Sequence, residues 1–443
     1  MSSERALIPR VGLALLFAAE CAVCVRTFTD EVSYFNFLHA ADNYVNMGRT
    51  LVSGGGITTF TYPPVLPVLP IVLCLLMWAS PVWWLLGLAT LHAILLLAIC
   101  WMVLVIAKSM SPNLYCGPVV CVLFATDYYF LLEVVRVEDT ILFSLLITAF
   151  FFLLVLRIPN PTTVFLLSLV ASIAHLVRPT SFIFFIVLAV YCVVELQRSK
   201  KRIGLYLVGA LVPILFLVIP WQMYVSTVVG EVVLTSTLTG GENLYEGNGP
   251  YTSDLFPTID LDAQSPFLNE NLRRDGIPYQ LSGSAGLIDQ RLAERRGDRY
   301  FRQRAFDYML AHPTKTLTST VVKALMLYSP FPIPLGSAEL QKDGEDHIRV
   351  IDFVPRKLLP AAFGMLHGLI VITGAGGWFL THLKQHRRNW YILLFFVLFT
   401  AIYAVTYPEI RHRVPVDPLL ILLSSLFWVD TLSTRRVKGQ CER

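Results

Sequence analysis

Residues 198–225 read RSKKRIGLYLVGALVPILFLVIPWQMYV: four cations in five positions, then 23 residues without a formal charge. An apolar run of that length is enough to cross the ~30 Å hydrocarbon core of a bilayer at about 1.5 Å per residue. Backbone amides cannot stay unpaired in lipid, so the run is a helix or part of a closed barrel. It shows no period-two alternation, and that selects the helix. The cations mark the cytoplasmic end under the positive-inside bias, so the helix emerges outside near Tyr224.

Working outward, the same pattern recurs at residues 82–107, 139–156 and 358–380. The whole chain of 443 residues is 55% hydrophobic and only 15% charged, with mean hydropathy +0.61. A soluble chain of this length carries far more charge. The net charge of +4 is too small to suggest nucleic acid; the bilayer is the partner it implies. Further basic clusters (Arg5 with Arg10, residues 384–388 and 435–438) lie beside apolar runs as cytoplasmic anchors. The first run, 11–25, follows two arginines but lacks a convincing cleavage site, so it reads as a retained helix. Seven of the eight cysteines lie in or beside apolar runs and read as small buried hydrophobes.

Orientation must alternate along the chain, and this parity constrains the weaker stretches. Three apolar stretches, 63–79, 82–107 and 117–132, separate an outer loop at 30–62 from the acidic pair Glu138–Asp139. If that pair also faces outside, only two of them cross. Residues 117–132 are the shortest, open on Gly117-Pro118 and contain Asp127, so they read as a re-entrant or half-buried helix. Residues 162–177 and 180–196 then form a hairpin with Arg178-Pro179 in its outer turn. The stretch 317–328 would break parity if it crossed. It is expected along the outer interface, where Lys323 reaches headgroups. The predicted fold class is an all-α polytopic membrane protein with about ten transmembrane helices and both termini cytoplasmic. Residues 1–224 form a transmembrane catalytic module including an outer loop at 29–62, 225–330 an extracytoplasmic region, and 331–443 the C-terminal transmembrane helices. The outer region is longer than ordinary connections. Within it, residues 290–310 space Leu292, Tyr300, Ala305, Phe306 and Leu310 as an amphipathic helix on the membrane or the bundle.

With this topology the unusual polar residues gather on the outer side. The first loop holds Asp30-Glu31, Asp42-Asn43-Tyr44, Arg49, three glycines at 54–56 and Tyr62-Pro63-Pro64. A carboxylate held at the interface by an amphipathic stretch sits where lipid phosphate meets water. Glu138-Asp139 open a helix, and Arg178 stands in a hairpin turn. Arg411-His412-Arg413 lie between two apolar runs, where unpaired charges are costly. A planar arginine fork suits a phosphate. Alternatively these arginines snorkel to headgroups or pair with Glu409, Asp417 or Glu138–Asp139. His92, His175 and His367 fall in apolar runs and read as satisfied core residues. No metal site is read from the spacing, since hard cations want several oxygens, and the glycine run lacks the lysine of a nucleotide loop.

Taken in order, these motifs resemble the GT-C superfamily of membrane glycosyltransferases, in particular its bacterial branch related to protein O-mannosyltransferases and aminoarabinose transferases. The resemblance rests on the first loop with Tyr62-Pro-Pro, on residues 138–143, on His175-Leu-Val-Arg178-Pro-Thr180, and on the segment with Thr235, Gly240-Gly241, Asn243, Tyr245 and Asn248. Ala305, His312-Pro313, Lys323 and Arg411-His412-Arg413-Val-Pro415 continue it. It implies inverting transfer of a sugar from a polyprenyl-phosphate carrier to an acceptor glycan, lipid or protein at the outer face of the cytoplasmic membrane, without a cofactor. It further implies Asp42, or Asp30 and Glu31, as general base. Arg411, Arg413, Arg178 and Lys323 would bind the donor phosphate, with Glu138 and Asp139 in a positioning role. His412 departs from the aromatic residue usual in that signature. A transporter or flippase is the competing reading; it would place charges at mid-membrane and show inverted repeats, which are not evident.

Overall fold

The computed structural model describes residues 52, 81–134, 139–199, 203–235, 237–278, 290–331, 333–342, 348–355, 361–383, 389–406 and 408–441. The candidates Asp30, Glu31, Asp42, Tyr62 and Glu138, and the runs 11–25 and 63–79, lie outside the described residues.

Helices dominate, and the expected apolar runs form them. Helix α1 (Pro81–Met110) packs against α4 (Thr140–Leu156). Between them the short stretch breaks in two, as α2 (Cys116–Thr126) and α3 (Tyr128–Val134), neither long enough to cross by itself. The break falls at Asp127, whose ψ of 83° leaves the helical region. Helix α5 (Pro161–Val177) begins at Asn160, whose side chain accepts from the Thr163 N–H at 2.8 Å, with a proline in the first turn. A single turn at Pro179–Ser181 returns the chain into α6 (Phe182–Ser199), the hairpin that parity demands.

The segment that opened the reading runs unbroken as α7 (Ile203–Pro213), a π-helical stretch (Ile214–Val218) and α8 (Ile219–Val229). Pro220 supplies no N–H to the preceding turn, and the widened π turn absorbs that loss. Gly230, at φ 77°, closes the helix in the left-handed region.

After this span come α9 (Gly240–Asn248), α10 (Ser265–Arg274), α11 (Gln290–Ala311) and α12 (Pro313–Met326), then β1 (Gly336–Lys342) paired antiparallel with β2 (Ile348–Pro355). The ribbon was not anticipated by the sequence reading of 331–443. The helices between this span and the ribbon share a small core that includes Tyr245, Tyr251, Leu255, Leu268, Leu272, Phe301 and Ala305. Helix α11 presents Phe301 and Ala305 to α9, while Phe306 and Leu310 are exposed.

The chain closes with α13 (Ala361–Leu383), α14 (Asn389–Val405), the short α15 (Ile410–Arg413) and α16 (Asp417–Cys441). Among the described residues three helical segments, Gly87–Met110, Ile203–Val229 and Arg411–Ser433, are long and apolar enough to cross a membrane, alongside six shorter apolar helices. The main core joins these through aromatic contacts such as Phe150–Phe184 and Phe151–Phe395. Helices α13 and α16 meet at Gly377, where an added Cβ would lie 1.8 Å from the Leu423 carbonyl oxygen.

Candidate active site

The short helix α15 follows Pro408 and continues through a single turn at Val414–Val416 into α16. Residues two apart on a helix point about 200° from one another. Arg411 and Arg413 therefore diverge. Arg411 keeps 37% of its side-chain surface and forks onto Glu409, Nε to Oε2 at 2.6 Å and Nη2 to Oε1 at 3.2 Å. Arg413 is fully buried: its Nη1 donates to the Ser329 carbonyl at 2.9 Å and its guanidinium lies 5.3 Å above the Tyr129 ring. Its Nε is 3.4 Å from an Asp417 oxygen. His412 stacks on Tyr403, centroids 4.8 Å apart and 21° from parallel, and its Nδ1 accepts from the Glu409 N–H. A stacked ring thus stands where the resemblance expects an aromatic.

Arg178 is committed elsewhere. Its Nε and Nη2 reach the two oxygens of Asp139 at 2.6 and 2.7 Å, and Nη2 also donates to the Thr140 hydroxyl at 2.9 Å. The guanidinium lies 5.4 Å from the Phe143 ring centre. This fork ties the turn of the α5–α6 hairpin to the start of α4. Each of the three arginines therefore pairs with a carboxylate that the alternative reading named.

Lys323 requires a correction. It was expected at the interface, reaching headgroups; instead it is fully buried and turned inward. Its ammonium donates to the carbonyls of Gly247 at 2.7 Å and Thr406 at 2.8 Å and to Asn248 Oδ1 at 3.3 Å. Helix α12 lies against α14, and that packing leaves its lysine facing protein. Burial pushes the Lys323 pKa down from 10.5 to about 7. Gly247 has no room for a side chain, since a Cβ would fall 1.9 Å from the Thr406 carbonyl oxygen. The Asn248 amide donates to the Leu244 and Val405 carbonyls. Tyr245 stacks on Phe301 with centroids 5.5 Å apart, and Asn243 is half-buried in the same helix. The outer-loop motif is thus an anchor: α9, α12 and the end of α14 are pinned together one residue-run away from α15.

The outer helices are further tied by charge. Buried Asp298 accepts from the Gly241 N–H at 2.6 Å and takes Arg295 at 3.0 Å and Arg302. Exposed Asp275 accepts from Tyr300 at 2.7 Å, Arg274 and Arg304, and the Tyr300 hydrogen bond leads in holding its pKa at about 2.

One group escaped the sequence reading. Asp127, His367 and Asp417 converge beneath Arg413, each at most 1% exposed, with one candidate ligand atom apiece all within 4.8 Å of one another. His367 had read as a satisfied core residue, yet its ring nitrogens make no hydrogen bond among the described residues. Only Asp127 gave a signal, as a charge inside an apolar stretch.

No family model matches the chain, and no curated protein matches it. Among solved structures it is similar to the crystal structure of ArnT from Cupriavidus metallidurans bound to undecaprenyl phosphate: 13% identical, covering 90% of this chain and 74% of that one, with a TM-score of 0.34. At that identity and score, function rests on the residues of this chain itself.

Proposed function

We propose that the chain is an inverting membrane glycosyltransferase that moves a sugar from a polyprenyl-phosphate carrier to an acceptor at the outer face. The acceptor hydroxyl attacks the anomeric carbon as the carbon–oxygen bond to phosphate breaks, and the departing phosphate keeps the electron pair. Asp42 takes the acceptor proton, with Asp30 and Glu31 as its rivals in the same loop. A carboxylate suits that task when nearby cations keep it ionised at neutral pH.

The observation that carries this reading is the divergence of the rim arginines. The Arg411–Glu409 pair is partly exposed, with 37% and 11% of the two side chains open, so of the three arginine pairs it is the one an incoming phosphate displaces at least cost. Breaking a buried pair costs about 3–5 kcal/mol. Arg178 and Arg413 therefore hold the frame, and the donor phosphate falls to Arg411. Lys323, engaged by carbonyls, pins the outer helices beside it.

Purified chain given a polyprenyl-phosphate sugar and extracted acceptor tests the proposal. Asp42→Asn is expected to abolish transfer while the protein stays folded. Arg411→Ala is expected to lower kcat/KM for the donor by about 100-fold, the loss of a charge-assisted contact. Transfer unchanged in both variants sinks the assignment. Substrate movement across liposomes without any transfer would favour a transporter instead.

A further inference from the structure

We propose that Asp127, His367 and Asp417 bind one divalent transition-metal ion inside the helix bundle, beneath Arg413 and independent of the sugar-transfer reading. The three side chains come from separate elements: the break between α2 and α3, the second turn of α13 and the first turn of α16. All three are buried, with relative exposures of 1%, 1% and 0%.

Their polar atoms are left unsatisfied. Asp127 uses Oδ1 to accept weakly from the Phe130 N–H at 3.4 Å, but its Oδ2 makes no hydrogen bond to any described residue. The same holds for both oxygens of Asp417 and both ring nitrogens of His367. Buried polar groups normally find partners, so a cluster with this many orphans calls for something that binds to all of them. The local cation does not suffice. Arg413 sets one positive charge against two carboxylates, and it approaches Asp417 only through Nε at 3.4 Å.

The spacing suits shared ligation better than direct bonding. His367 Nδ1 and Asp127 Oδ2 are 3.8 Å apart, beyond a hydrogen bond. Two ligands about 2.1 Å from one ion sit roughly 3.0–3.4 Å apart, so a small closing movement completes the set. An imidazole with two carboxylates is a donor set for zinc, manganese or iron, whereas magnesium and calcium favour all-oxygen shells. Tyr129 lies edge-on to the His367 ring at 6.0 Å while its face receives Arg413, so one aromatic wall orients both. An ion here would clamp α13 and α16 to the broken helix at the end of the bundle that carries α15.

The full chain, purified in detergent and stripped with chelator, is loaded with Zn2+ or Mn2+, freed of excess by gel filtration and analysed for metal by mass spectrometry. About one retained ion per wild-type chain is expected, with a melting temperature raised by loading. Asp127→Asn and His367→Gln are expected to retain less than about a tenth of that and to lose the metal-dependent rise. Wild-type chain that retains no ion overturns the proposal. So does retention in folded His367→Gln equal to wild type, which would assign the ion to other residues. Should His367→Gln not fold, Asp127→Asn and the wild-type stoichiometry decide the question.

Discussion

Arg178 and Asp139 lie 39 residues apart in sequence, yet each gives the other a two-pronged partner in a nearly dry setting. Removing one member leaves a buried charge without compensation. Arg178→Ala is expected to destabilise the chain by about 3–5 kcal/mol, whereas the double replacement Arg178→Met with Asp139→Leu is expected to recover most of that loss. Melting in detergent across the four-member cycle checks this, and strictly additive losses would count against the pair. The sequence pointed to these residues as charges in expensive places, and that expectation holds. It could not choose between lipid phosphate and carboxylate as their partner, because pairing depends on which helix ends meet. His367 was harder still. An imidazole in an apolar run looks the same whether it is wrapped by methyl groups or faces Asp127 and Asp417.

Among the elements, the helices were legible because length and apolarity are local properties. The run read at residues 82–107 is Pro81–Met110, and the one read at 139–156 is Thr140–Leu156. The ribbon was not legible. Strand β2 reads IRVIDFVP, with Val350 and Ile351 adjacent, so its period is blurred. A two-stranded ribbon is marginal alone and depends on its surroundings; here Gly336 bridges to Ile259 in the connection between α9 and α10. Close helix crossings were equally hidden, since a glycine in an apolar run does not announce its neighbour. Gly377→Ala is expected to force α13 from α16 and cost about 1–3 kcal/mol. Gly204→Ala, with open space around it, is expected to stabilise by about 0.4–1 kcal/mol through the unfolded chain. Paired melting curves distinguish the two, and equal shifts would contradict the close approach.

At the scale of the molecule, parity placed a large outer region after the span that begins at Ile203, and a compact set of helices does follow it. How that region is aimed depends on the widened turn at Ile214–Val218. A π turn carries one residue more than the α-helix it interrupts. The chain can therefore give one up there and nowhere else in the span. Deleting Leu215 is expected to tighten the turn and leave the far end in place. Deleting Leu207 is expected to rotate everything beyond it by about 100°. That rotation would turn the cluster of Trp221, Val225, Val229, Val233 and Leu238 away from Leu176 of α5, which packs against it. Both leucines are about equally exposed, at 54% and 50%, so a lower melting temperature for the second deletion alone would isolate register from lost contacts. The span thus holds a spare residue, a place where the length of the chain can change by one without the outer region losing its aim.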